Sequence, residues 1–286
     1  PDTPNHAAKS AQLFAVAAGQ EGWRSADLYR VMDNGSVGEF VSKISFPGIL
    51  GTVEQVFAAS SGFLIDQHTN ATVKLQHSVM VLNDADEAQL SAGQNIAFIG
   101  QEIVQFASAK PLGNGRYLLS RFYRGLGGTE RFIENHISQE NFILFDTRSA
   151  TLLSSNHYTL FQPSQFAALG RDDRVPATAE IVFPGSALMP WHPVHLKHSY
   201  TSSTDLDVVW TRRSRAGSVW ADYVDVPLAE EVEEYVIRWE SSSGELLGEA
   251  LVDTPSFRLL NQQISSYRNQ NISEIQFSVR QRGQHT

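Results

Sequence analysis

One histidine triplet has regular spacing, His192-x-x-His195-x-x-His198. Imidazoles are good ligands for zinc, nickel or iron. On a helix, a spacing of three would bring such side chains to one face, but Pro193 and the β-rich surroundings argue against a helix. On a strand, His192 and His198 share a face and His195 points to the other, so the three do not converge. The expectation is a linker in which Trp191 and Val194-His195-Leu196 pack between domains, with no metal and no other cofactor. Carboxylates form the second set: Glu102, Glu130, Asp146 and the Asp172-Asp173 pair. Two carboxyl groups cleave a glycosidic bond when one is buried with a raised pKa and their separation is set. Nothing in the spacing brings two of these to one cleft, and no catalytic residue is assigned. Glu130 reads as a loop residue that accepts from backbone amides. The run Gly125-Leu126-Gly127-Gly128-Thr129 looks like a phosphate loop but lacks the lysine and the following helix. Its glycines are read as positions of positive φ where a strand leaves its hairpin. No Gly-x-Ser-x-Gly nucleophile elbow is present. Exposed aromatics offer the remaining chemistry: Trp220 and Tyr223, in a loop between two strands, and Trp191 are candidates for stacking on a sugar.

Composition narrows the classes. The 286 residues suffice for two or three ordinary domains. The absence of cysteine excludes disulfides, thiolate nucleophiles and cysteine-ligated metals. A net charge of −9 repels a polyanion, so nucleic acid is not an expected partner. The basic group Arg212, Arg213 and Arg215 is read as a solvated strand face. No apolar run approaches the length of about 20 residues that a membrane-spanning helix needs. The start, Pro-Asp-Thr-Pro, has neither Met nor a secretory leader, which suggests an excised piece of a longer chain.

Short alternating runs dominate the elements. A loose apolar stripe over Ala8–Ala18 reads as a helix ended by Gly19 and Gly22. Asp27–Met32 and Val37–Ile44 flank Asp33-Asn34-Gly35-Ser36, a hairpin signal. Short strands follow at Thr52–Phe57, Gly62–Asp66 and Thr72–Gln76. A further group comprises His77–Leu82, Asn95–Gly100, Glu102–Ala109 and Arg116–Tyr123, the last two joined by Gly113-Asn114-Gly115. Asn141–Asp146, His157–Phe161 and Thr178–Phe183 come next, with one helical turn at Gln165–Leu169. The final run holds Asp205–Arg213, Tyr235–Trp239, Glu249–Val252, Phe257–Leu260 and Glu274–Arg280. Residues 229–239 read as an acidic loop and then a strand, because Tyr-Val-Ile-Arg-Trp is β-branched and aromatic. Five or more strands in so short a stretch predict a two-sheet sandwich.

The stretch from Ile99 to Glu130 carries a family pattern: Ile99-Gly100-Gln101-Glu102, Gln105-Phe106, Leu119-Ser120-Arg121 and Arg124-Gly125-x-x-Gly128-Thr129-Glu130. Further matches lie in order at Leu28-Tyr29-Arg30, Phe142-Ile143-Leu144-Phe145-Asp146, Trp191–Leu196, Trp210–Arg215 and Asp225-Val226-Pro227-Leu228 with Glu230-Glu231. Together they resemble the tail-tip, or baseplate hub, proteins of long-tailed bacteriophages and gene transfer agents. The resemblance implies a non-enzymatic virion component that links the tail tube to distal fibres and contacts the host surface. It implies tail-tip, baseplate and tail-tube proteins as partners, a homotrimer around the tail axis, and synthesis in the bacterial cytoplasm before assembly into the tail.

The expected fold is mainly β, a succession of small barrel and sandwich domains of which the last resembles fibronectin type III. The expected boundaries are an N-terminal helical stub at 1–22, a β-domain at 23–76 plus 135–196, a small β-domain inserted at 77–134, and the sandwich at 197–286. The insertion follows the resemblance, since hub proteins commonly interrupt one β-domain with another. In the sandwich, Trp210 is the expected core tryptophan, and Phe277 stands where such modules often carry tyrosine. The alternative function is a carbohydrate-binding module for bacterial surface glycan, acting through Trp220, Tyr223 or Trp191. A metal-dependent hydrolase is the third reading.

Overall fold

The computed structural model describes residues 12–55, 58–62, 65–171, 173–183, 185–216 and 226–283. The chain divides into two compact units, one covering Gln12–Gly185 and one beginning at Ser186. In chain order the first holds β1 (Leu13–Ala15), β2 (Ala26–Val31), β3 (Val37–Ile44), β4 (Ile49–Val53) and β5 (Asp66–Leu75). There follow α1 (Glu87–Ser91), β6 (Ile96–Ile99), β7 (Glu102–Gly113), β8 (Arg116–Tyr123), β9 (Asn141–Leu144), β10 (Thr151–Leu153), β11 (Pro163–Gly170) and β12 (Ala177–Val182).

Six of these strands close a barrel in the order β4-β5-β8-β7-β6-β9, and closure leaves no free sheet edge. Alternation selects the interior: Val53, Val73, Val104, Phe106, Leu119, Phe122 and Phe142 are all fully buried. The β7–β8 hairpin forms the longest wall. Asn114 and Gly115 take positive φ at its turn, as the Asn-Gly signal requires. The Lys74 ammonium donates to the Asn114 carbonyl and ties that turn to β5. Gly51 is needed for closure, since a Cβ there would lie 2.4 Å from the Lys74 carbonyl oxygen on the paired strand. The short α1 is set by Asp86, which accepts from the Gln89 N–H while the Gln89 side chain accepts from the Asp86 N–H.

A second sheet, β12-β11-β2-β3, is assembled from strands on both sides of the barrel in sequence, and β1 pairs with β10. The barrel takes β4, β5 and β9, which the boundaries drawn from the resemblance assign to the interrupted domain. The interruption thus falls between Ile44 and Ile49 on one side and between Leu144 and Thr151 on the other, rather than at 77 and 134. Alternation marks a strand without naming its partner, so it carries no information on this boundary.

Local expectations also shift. Leu13–Ala15, inside the expected helix, is extended because it pairs with β10; Ala8–Ala11 lie outside the described residues. Gln165–Leu169 is part of β11, with Phe166 and Ala167 buried, rather than a helical turn. His77–Leu82 is not a strand, although Met80 and Leu82 pack into the barrel core. His157–Phe161, expected as a strand, is not one: a 3-10 turn, Ser155–His157, ends at its first residue and the next strand begins at Pro163.

The second unit comprises β13 (Val194–Tyr200), β14 (Leu206–Thr211), β15 (Tyr235–Ser241), β16 (Leu246–Val252), β17 (Ser256–Leu259), α2 (Asn261–Asn269) and β18 (Ile275–Gln281). Two antiparallel sheets, β13-β14-β17 and β16-β15-β18, enclose one core. Labelled A, B, C, C′, E and F in chain order, the strands form A-B-E and C′-C-F sheets. That is the arrangement of immunoglobulin-type sandwiches, the architecture that fibronectin type III modules share. Trp210 is buried with its ring edge-on to Tyr235, 5.3 Å between centroids. Trp239 stacks on Phe257 at 5.0 Å, and Gly248 leaves the room for it, since a Cβ there would lie 2.2 Å from the indole. Helix α2 is not among the elements expected from sequence. Its Tyr267 hydroxyl accepts from Trp239 Nε1 (3.1 Å) and donates to the Leu247 carbonyl (3.2 Å), joining the helix to the β15–β16 sheet.

Candidate functional site

The densest concentration of ionisable groups lies at one end of the barrel. Glu102 opens β7, Arg124 follows β8, Asp66 opens β5, and His136 and Glu140 lie on the segment leading into β9. The Arg124 and Glu102 side chains are 0% exposed, Asp66 1% and His136 2%. Arg124 grips Glu102 with two arms, Nε to Oε1 at 2.9 Å and Nη2 to Oε2 at 2.8 Å. Its Nη1 donates to the Ala58 carbonyl at 3.2 Å and faces Asp66 Oδ2 at 3.5 Å. Glu102 Oε1 also accepts from the Gly125 N–H at 2.7 Å. His136 bridges two carboxylates, Nε2 to Glu102 Oε2 and Nδ1 to Glu140 Oε1, each at 2.6 Å.

Electrostatics follow from this geometry. Burial pushes the Glu102 carboxyl up, but His136 and Arg124 outweigh it and hold Glu102 below its usual range. Burial likewise disfavours a charged His136, and the two carboxylates reverse that, so its pKa is raised. A neutral ring would aim one unprotonated nitrogen at a carboxylate; the imidazolium satisfies both contacts. For Asp66, burial is again the largest influence, yet it is overcome by hydrogen bonds from Thr69 and His68, and its pKa is lowered.

The residues around the cluster explain the glycine-rich loop. Gly125, Gly127 and Gly128 all have positive φ. A Cβ on Gly125 would stand 2.8 Å from the Glu130 Cα, so only glycine brings its amide onto Glu102. Thr129 Oγ1 accepts from the Ile103 N–H (3.0 Å) and donates to the Leu126 carbonyl (2.8 Å). Gln105, buried on β7, donates to the carbonyls of Leu90 and Gln94 at 2.8 and 2.6 Å. The arrangement is an ionic and hydrogen-bonded clasp. It fastens the loop after β8 and the segment before β9 to the start of β7. Its side chains are enclosed among the described residues, Glu140 at 9% being the most exposed.

The other candidates named from sequence are not gathered there. His195 sits at a bulge in β13 with φ 54°, His198 pairs with Val208, and His192 precedes the strand; all three are exposed. Among the described residues, no group of three His, Cys, Asp or Glu is placed to hold a metal ion. Asp146 pairs with Arg148 at 2.8 Å on the surface. Asp173 accepts from the Gly170 N–H at 2.8 Å, and Asp172 lies outside the described residues. Trp191 is half-buried, with the Arg213 guanidinium 4.8 Å from its ring centroid. Trp220 and Tyr223 lie outside the described residues. The basic group is not a solvated face: β14 ends at Thr211, and Arg215 pairs with Glu230 at 2.7 Å, both side chains largely buried. Of the clasp, sequence reasoning singles out Glu102 and Gly125 but does not identify Arg124, His136, Glu140 or Asp66 as partners of Glu102.

In class, then, the first unit is a closed β-barrel clasped by a buried ion cluster, and the second is a fibronectin type III-like sandwich. The family model described as Rcc01698-like, C-terminal, matches residues 48–143. Those residues coincide with the barrel and contain the whole clasp. No curated protein matches the chain. Among solved structures, the FN1–FN3 domains of chicken CNTN1 match at 14% identity and a TM-score of 0.22. That match covers 88% of this chain and 66% of that one, and a score so low carries no argument.

Proposed function

We propose that this chain is a non-enzymatic structural segment of a phage-like tail tip or baseplate hub. In this reading it links the tail tube to distal fibres and helps contact the host surface. One observation carries the proposal. Of the residues through which 99–130 resembles tail-tip proteins, Glu102, Gln105, Arg124 and Thr129 spend their polar side chains, and Gly125 its amide, on fastening the barrel. Polar groups committed to a clasp suit a part that transmits load, whereas polar groups committed to catalysis would open to solvent. The span matched by the family model supports the same reading. Tail-tube and baseplate proteins are the proposed partners, with copies arranged about the tail axis. The test is negative-stain imaging of intact particles with an antibody against this chain. Label at the distal end of the tail is expected; label on the head or along the tube would overturn the proposal.

A further inference from the structure

We infer that the first unit carries a saccharide-binding cleft built around Trp23, a residue with no assigned role. The cleft has a volume of about 850 Å³ and is lined by the β1–β2 loop, the β11–β12 turn and His77 after β5. That volume is in the usual range for small-molecule sites, which is roughly 300–1,000 Å³. It shares no residue with the barrel clasp.

Trp23 is the centre of the argument. Its backbone N–H donates to the Gln20 carbonyl at 3.0 Å, closing a turn in which Gly22 takes a φ of +88°. Gly19 seats the indole: a Cβ there would stand 2.1 Å from Trp23 Cδ1. The side chain is held from one side but only half-buried. Its indole has no ring, ionic or hydrogen-bonding partner among the described residues. A tryptophan fixed by its backbone and left open on a cleft is a platform without an occupant.

The cleft's polar groups indicate the occupant's class. Arg24, Arg171, Glu21 and Asp173 are exposed along it, and His77 is half-buried. Among the described lining residues two guanidiniums balance two carboxylates, with no cationic excess of the kind that a phosphate or polyanion would select. It is also too polar for an apolar ligand. Forked donors and forked acceptors around an aromatic face match a pyranose. Adjacent hydroxyls can bond with arginine and carboxylate in pairs, while the C–H face packs on the electron-rich indole face. Asp173 keeps one oxygen for such a contact, since only its Oδ2 accepts from Gly170.

The inference is independent of the tail-tip reading, because it is tested on the isolated protein. A panel of neutral and acidic bacterial surface oligosaccharides is screened first, and the best ligand is titrated calorimetrically. Saturable binding is expected. Trp23→Ala should weaken it about tenfold, the scale of one lost stacking contact. Trp23→Phe, which keeps an aromatic face, should retain part of it. Arg171→Ala, a change at an exposed side chain, should weaken it several-fold. No binding across the panel would overturn the inference, as would wild-type affinity in both Trp23→Ala and Arg171→Ala. Preference for acidic over neutral sugars would overturn the charge-balance argument. Particle labelling away from the tail tip would defeat the proposed function and leave this cleft standing.

Discussion

Single residues decide whether the barrel clasp holds. Replacing Glu102 by Ala leaves the Arg124 guanidinium and the His136 imidazolium buried without their shared counter-charge. Breaking one side of a buried pair costs about 3–5 kcal/mol, so Glu102→Ala should lower the barrel's melting temperature sharply. Calorimetry checks this, and an unchanged transition would mean that the cluster contributes nothing. Gly125→Ala should cost about 1–3 kcal/mol, because φ is +62° and the added methyl meets the Glu130 backbone. The clasp also sets a pH window. His136 has a raised folded pKa, so its contribution is complete below its unfolded value of 6.5 and declines as pH rises through the folded pKa. Glu102 has a lowered folded pKa, so its contribution is complete above its unfolded value of 4.5 and declines as pH falls through the folded pKa. Their combined contribution should therefore be greatest between pH 4.5 and 6.5. Melting temperatures from acid to alkaline pH would show it, and His136→Gln should remove the alkaline decline and shrink the acid one to the part that Arg124 and the Gly125 amide sustain. At this scale the sequence is partly readable. Gly125 announces its positive φ through glycine spacing. His136 announces nothing, because its carboxylate partners lie 34 residues before it and 4 after it, joined only by folding.

Elements are read best where the signal is local. The β7–β8 hairpin is recognisable because Asn114 and Gly115 tolerate the left-handed backbone that a tight turn needs. Gly115→Val puts a β-branched residue at φ +71° and should weaken the barrel by about 1–2 kcal/mol, measured by urea unfolding. A wild-type midpoint would show that the turn does not set the register. Elements fixed by distant pairing escape a local reading. Leu13–Ala15 has the composition of a helix and becomes a strand because β10 supplies its hydrogen bonds. Conversely, Asn261–Asn269 has weak helical patterning and becomes α2, with Ile264 buried and Tyr267 bonded to Trp239. Tyr267→Phe should destabilise the sandwich by about 1 kcal/mol, the net value of a lost side-chain hydrogen bond.

At the scale of the whole molecule, two compact units imply two cooperative units. Heating should give two transitions, with Glu102→Ala moving the one that reports the barrel and Tyr267→Phe moving the other. Equal displacement of both by either variant would mean a single cooperative unit. What the sequence determined by itself was the class: the absence of cysteine, the pervasive two-residue alternation and the Gly-Asn punctuation require paired strands around apolar cores. Only tertiary structure decided which strands close into the barrel, where the barrel interrupts its neighbour, and which charges meet inside it. The physical reason is range. Alternation and turn chemistry act over a few residues, whereas strand partnership and the burial of Glu102, Arg124 and His136 depend on groups that come together only when the barrel shuts.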